Sequence, residues 1–95
     1  MAVKIIIKRK ISKEKEAELL PLLLQLRSTA IAQPGYVTGE TLRKVDSYED
    51  TLVITTWQSE DEWKAWESSQ ARKDIQDKID AILEEKTEYE IYFYG

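Results

Sequence analysis

The chain has 95 residues, of which 42% are apolar and 34% charged, enough for the core of one domain but with little apolar surplus for a monomer of this size. Its 14 Lys and Arg against 18 Asp and Glu give a net charge of -4 with the signs interspersed, which argues against nucleic-acid or anionic-membrane partners. It has no Cys and no His, so disulfide frameworks, thiolate nucleophiles, Ser-His-Asp triads, Cys/His zinc sites and imidazole-ligated haem are excluded.

From Val3 to Ile11, Val3, Ile5, Ile7, Arg9 and Ile11 alternate with Lys4, Ile6, Lys8 and Lys10, the period of a first strand. Ser12 then serves as an N-cap ahead of Lys13-Glu14-Lys15-Glu16, and Ala17, Leu20, Leu23, Leu24, Arg27 and Ile31 follow at helical spacing to about Ala32. Pro21 lies too deep for a first turn, so it either kinks this helix or starts its regular part. The Ile5-Ile6-Ile7 run is too short for a signal-peptide core, and the Leu19 to Leu24 cluster contains Pro21 and cannot span a bilayer. With no Cys, these features fit a cytoplasmic protein without a membrane partner.

Gln33-Pro34-Gly35 stops the helix, and two segments rich in β-branched and aromatic residues, Tyr36 to Val45 and Thr51 to Trp57, form a hairpin around a polar loop at residues 46–50. Ser59-Glu60-Asp61-Glu62 reads as a capping box that opens a second helix, its acids complementing the helix dipole and not building a metal site. Trp63 and Trp66 do not share a helical register with Ala71, Ile75, Ile79 and Ile82, so Ser68-Ser69 breaks the helix and caps its continuation to about Leu83. Thr87 to Tyr94 alternates again as a last strand. The order βαββαβ predicts a single α+β domain over residues 1–95, ferredoxin-like, with both helical segments on one face of an antiparallel sheet. Ile6 on the opposite row of the first strand and aromatics on both rows of the last call for burial of the second face too, which a homodimer supplies.

Of the aromatic residues, Trp66 stands out: one turn before the break, its indole either fills the core or offers a platform to a flat ligand. The glycines, Gly35, Gly39 and Gly95, build no phosphate-cradling turn, so no nucleotide cofactor is expected. Gly39, inside a strand, marks a bulge, a close approach or a packing gap.

Gln33-Pro34-Gly35-Tyr36 after the first helix, Thr56-Trp57-Gln58-Ser59-Glu60 at the end of the hairpin and Trp63-Lys64-Ala65-Trp66-Glu67-Ser68 beyond it resemble the antibiotic biosynthesis monooxygenase family. The resemblance implies a dimeric α/β barrel and a cofactor-independent oxygenase acting on a phenolic, anthrone-like or quinol substrate, with the substrate supplying the electrons. It implies that Trp66 stacks on the ring, that Lys8 or Arg9 stabilises the phenolate, whichever faces inward, and that Gln76, Tyr36 and Tyr92 orient hydroxyls. The general base stays open among Glu62, a tyrosine and a substrate-assisted route. The family also holds haem-degrading members with an Asn on the first strand and an iron-binding His beyond the tryptophan. This chain has Lys8 and Gln76 there, and an amide is a poor iron ligand. The other reading is a non-catalytic dimeric module that binds a small molecule or acts as a scaffold.

Overall fold

A computed structural model describes residues 1–95. The chain runs β1 (Val3–Lys10), α1 (Lys13–Ile31), β2 (Tyr36–Lys44), β3 (Ser47–Trp57), α2 (Glu60–Glu67), α3 (Gln70–Ile82) and β4 (Glu88–Phe93). The strands form one antiparallel sheet in the order β2-β3-β1-β4, the arrangement expected of a ferredoxin-like α+β domain.

Strand parity sorts the sheet into two faces. Val3, Ile5, Ile7 and Arg9 of β1 are buried beneath the helices. In register with them, Thr51, Val53, Thr55 and Trp57 of β3 and Tyr89 of β4 share that face. Lys4, Ile6 and Lys8 fall on the other, beside Leu52, Ile54, Glu90 and Tyr92.

The hairpin is longer than predicted. Val45 and Asp46 alone make the turn, and residues 47–50 belong to β3. The pairing shifts between Arg43 and Lys44, so Tyr48 to Asp50 bulge away from β2. They are held elsewhere: the Glu49 carbonyl accepts from Ile11 N at 2.9 Å, and the Tyr48 hydroxyl donates to Glu16 of α1 at 2.8 Å. These polar residues read as loop because their partners lie in β1 and α1, far along the chain.

Helix α1 runs unbroken from Lys13 through Pro21, so the regular helix does not start at the proline. Pro21 donates no bond to the Ala17 carbonyl, and both residues are exposed, where water can solvate that carbonyl. Ser12 stands at the N-cap without a side-chain cap hydrogen bond. Ser59, by contrast, accepts from Glu62 N at 3.2 Å, and the Glu62 carboxylate reaches back to the Ser59 hydroxyl, not to its amide. The Ser68-Ser69 break is present, with Ser69 capping α3 by accepting from Arg72 N at 3.2 Å.

Two apolar clusters hold the domain together. Val3, Ile5, Ile7, Trp57, Trp63 and Trp66 form one between the sheet and α2. Ile11, Leu19, Ile75 and Ile79 form the other between α1 and α3, and Leu26 packs on both. Because α1 leans on α3, it stands off β2 and β3, whose inward side chains there are short: Gly39, Thr41, Thr51 and Thr55. The volume they leave unfilled is a cavity.

Candidate functional site

The cavity encloses about 280 Å³ between α1 and the sheet. Its walls are apolar and aromatic, with Trp57, Trp63, Trp66 and Tyr36 along one side and leucines of α1 along the other. Leu20, Leu24, Arg27, Thr41 and Arg43, all exposed, place its mouth between α1 and β2.

Aromatic side chains brace one another along the wall. Tyr36 meets Trp57 edge-on with centroids 5.4 Å apart, and Trp57 meets Trp63 in the same manner at 5.7 Å. Gly39 makes the Tyr36 position attainable, since a Cβ there would lie 2.5 Å from the Tyr36 hydroxyl. Trp66, on the last turn of α2, is buried and lines the same space.

The inner end is polar and cationic. Arg9 is 6% exposed; its Nη2 donates to Gln76 Oε1 at 3.2 Å, and Gln76 Nε2 donates outward to Asp80 at 2.9 Å. Burial pushes the Arg9 guanidinium below its usual pKa, with Tyr89 opposing the shift and Arg72 adding to it. Arg9 Nε has no hydrogen-bond partner, and neither does the hydroxyl of Thr51, its cross-strand neighbour. Arg72 enters from α3. Its Nη1 donates to the Glu67 carbonyl across the helix break at 3.1 Å, and its Nη2 donates to the Tyr89 hydroxyl.

Of the residues singled out in the sequence, Trp66, Gln76, Arg9 and Tyr36 meet around this cavity, and Lys8 and Tyr92 do not. Parity decides the choice between Lys8 and Arg9, because adjacent residues of a strand face opposite ways. Lys8 lies on the far side of the sheet, paired with Glu90 at 3.1 Å, and the exposed Tyr92 hydroxyl donates to the same Glu90. Glu62 is occupied by the capping box and covers Gly35, so it does not line the cavity as a base. Arg72 and Tyr89 were missed as site residues. The only signal for Arg72 was its place three residues after the Ser69 cap, which turns its side chain back across the break. No group of acidic residues is arranged to hold a metal ion.

A family model described as antibiotic biosynthesis monooxygenase matches residues 2–78. No curated protein matches the chain at a significant level. Among solved structures, a conserved protein from Methanosarcina mazei Go1 is similar with a TM-score of 0.91 at 20% identity, over 100% of this chain and 94% of that one. SnoaB, a cofactor-independent oxygenase from Streptomyces nogalater, is similar with a TM-score of 0.86 at 16% identity, over 99% and 93%. Rv0793 from Mycobacterium tuberculosis follows with a TM-score of 0.87 at 12% identity, over 100% and 96%. The structures share the fold at this identity, and the family match spans most of the sequence, from the first strand through most of α3: the chain belongs to the antibiotic biosynthesis monooxygenase family.

Proposed function

We propose that this protein is a small cofactor-independent oxygenase of a phenolic, anthrone-like or quinol substrate. The observation that carries the reading is an apolar, indole-walled cavity with a buried guanidinium at its inner end. The ring stacks against Trp66, and its hydroxyl points at Arg9. A cation beside that hydroxyl lowers the substrate's own pKa, which favours the oxyanion without a dedicated base on the protein. For an anthrone, the ionised ring gives electrons to dioxygen and a carbon–oxygen bond forms. The oxygen–oxygen bond then breaks, so that one oxygen becomes the new carbonyl and the other leaves as water. The ring methylene loses four electrons and dioxygen gains four. The enzyme supplies position and charge.

Oxygen uptake with a panel of anthrones, naphthols and hydroquinones tests this. Uptake above the spontaneous rate, falling about 10- to 100-fold in Trp66→Ala, is the expected result. No uptake on any member favours the second reading, a non-catalytic small-molecule-binding or scaffold module. One observation stands behind that alternative: no carboxylate lines the inner end to take a proton.

The same proposal includes a cytoplasmic homodimer joined through the helix-free face of the sheet. Ile6, Leu52 and Ile54 lie half-buried there, and Leu42 and Tyr92 are exposed.

A further inference from the structure

The chain contains four arginines, Arg9, Arg27, Arg43 and Arg72, and all four line the cavity, whereas none of its ten lysines does. In a protein of net charge -4 this segregation concentrates positive charge along one path, with Arg27 and Arg43 at the mouth and Arg9 and Arg72 at the inner end. The ion pairs of the protein are Lys8–Glu90, Arg43–Glu16 and Lys64–Glu60. Neither inner arginine is therefore matched by a carboxylate. Arg9 makes its one side-chain bond to an amide oxygen, Arg72 bonds a carbonyl and a phenol, and Arg9 Nε and the Thr51 hydroxyl are left unmet side by side.

Arg9 is buried and Arg72 half-buried. A buried cation without a counter-ion is costly to fold, and a ligand that supplies the missing anion recovers that cost on binding. A phenol alone does not. It is neutral at neutral pH until it ionises, and once ionised it balances one guanidinium of two. Arginine rather than lysine at every position favours a planar anion that accepts paired N–H donors, which a carboxylate does. The aromatic walls require that the rest of the ligand be flat.

We infer that the ligand of this cavity is an aromatic hydroxy acid, a small ring system whose ionised carboxylate is held between Arg9 and Arg72. This rests on the reading of the cavity as the substrate site and adds the class of substrate. The ionised hydroxy acid is a dianion facing two cations, so the site approaches neutrality as the oxyanion forms. At the mouth Arg43 is already paired with Glu16, which leaves Arg27 as the cation that meets an incoming anion.

Titration calorimetry of the purified protein with 1-hydroxy-2-naphthoate and with its uncharged counterpart 1-hydroxy-2-naphthamide tests the inference. The acid is expected to bind about 10- to 100-fold more tightly than the amide. Arg72→Gln should bring acid binding down toward that of the amide while amide binding stays close to wild type. Arg9→Gln should weaken both ligands, because the hydroxyl they share points at Arg9, with the larger loss for the acid. Circular dichroism of each variant reports an intact fold. Arg72→Lys should recover part of the preference. Equal affinity for acid and amide, no binding of either, or a preference that survives in both Gln variants overturns the inference. Because binding is read without turnover, acid-selective binding with no oxygen uptake removes the oxygenase and leaves this conclusion. Uptake on naphthols with no acid preference does the reverse.

Discussion

Arg9 owes its place to strand parity: in a row that otherwise carries Val3, Ile5, Ile7 and Ile11, a cation is turned beneath the helices. The glycines of β2 and of the turn before it act at the same scale. Gly35 holds φ at 86°, and its missing Cβ leaves room for the Glu62 side chain. Gly35→Ala is expected to lose about 1–3 kcal/mol through backbone strain and that clash, read as a lower denaturant midpoint. Gly39 has ordinary backbone geometry, and its lack of a side chain serves Tyr36. Gly39→Ala should displace the Tyr36 hydroxyl into the cavity, cost about 1–3 kcal/mol of stability and weaken ligand binding, whereas Gly39→Ala combined with Tyr36→Phe should regain stability. Thermal unfolding of these two variants checks this.

At the scale of elements, the Ser68-Ser69 break places Arg72, so its cap matters to the site as well as to α3. Ser69→Ala is expected to cost about 1 kcal/mol and to loosen the Arg72 contact with Tyr89, seen as a lower melting temperature and weaker acid binding in the same variant. The hairpin tip is tied to α1 by Glu16, which accepts from Arg43 and from Tyr48. The hydrogen bond to Glu16 holds the Tyr48 phenol above its ordinary pKa, so the folded state favours the protonated form. The stability from this contact is therefore fully present below the unfolded tyrosine range and lost as pH rises through the raised folded value. The difference in melting temperature between wild type and Tyr48→Phe should accordingly close in alkali. Elements defined by local chemistry were legible in the sequence: the β1 alternation, the Ser59 box, the Ser69 restart and the Pro34-Gly35 stop. Features defined by distant partners were not. Residues 47–50 are polar and count as strand only because β1 and α1 bind them, and the cavity exists because α1 leans on α3, which no local pattern records. The site was half legible for the same reason: parity and helix spacing bring Arg9, Trp66 and Gln76 together, while Arg72 needs the actual path of the chain across the break.

For the molecule as a whole, the proposed dimer rests on the helix-free face of the sheet. Tyr92 projects from that face and Ile91 from the helix side. Tyr92→Asp should convert the proposed dimer to monomer with little change in helicity, and Ile91→Asp, on the helix side but exposed on the edge strand, should leave self-association in place. Sedimentation velocity separates the two, and a wild-type chain that runs as a monomer at micromolar concentration would sink the dimer. The tie between the hairpin and α1 has its own consequence at this scale. It spans the same two elements that frame the cavity mouth, and its hydrogen bonds converge on one carboxylate, Glu16. A ligand of the proposed site would have to part α1 from the hairpin or slip between them, so this contact is expected to govern residence time more than affinity. Glu16→Gln should accelerate entry and escape by similar factors, leaving the equilibrium nearly where it was and shortening the life of each bound complex.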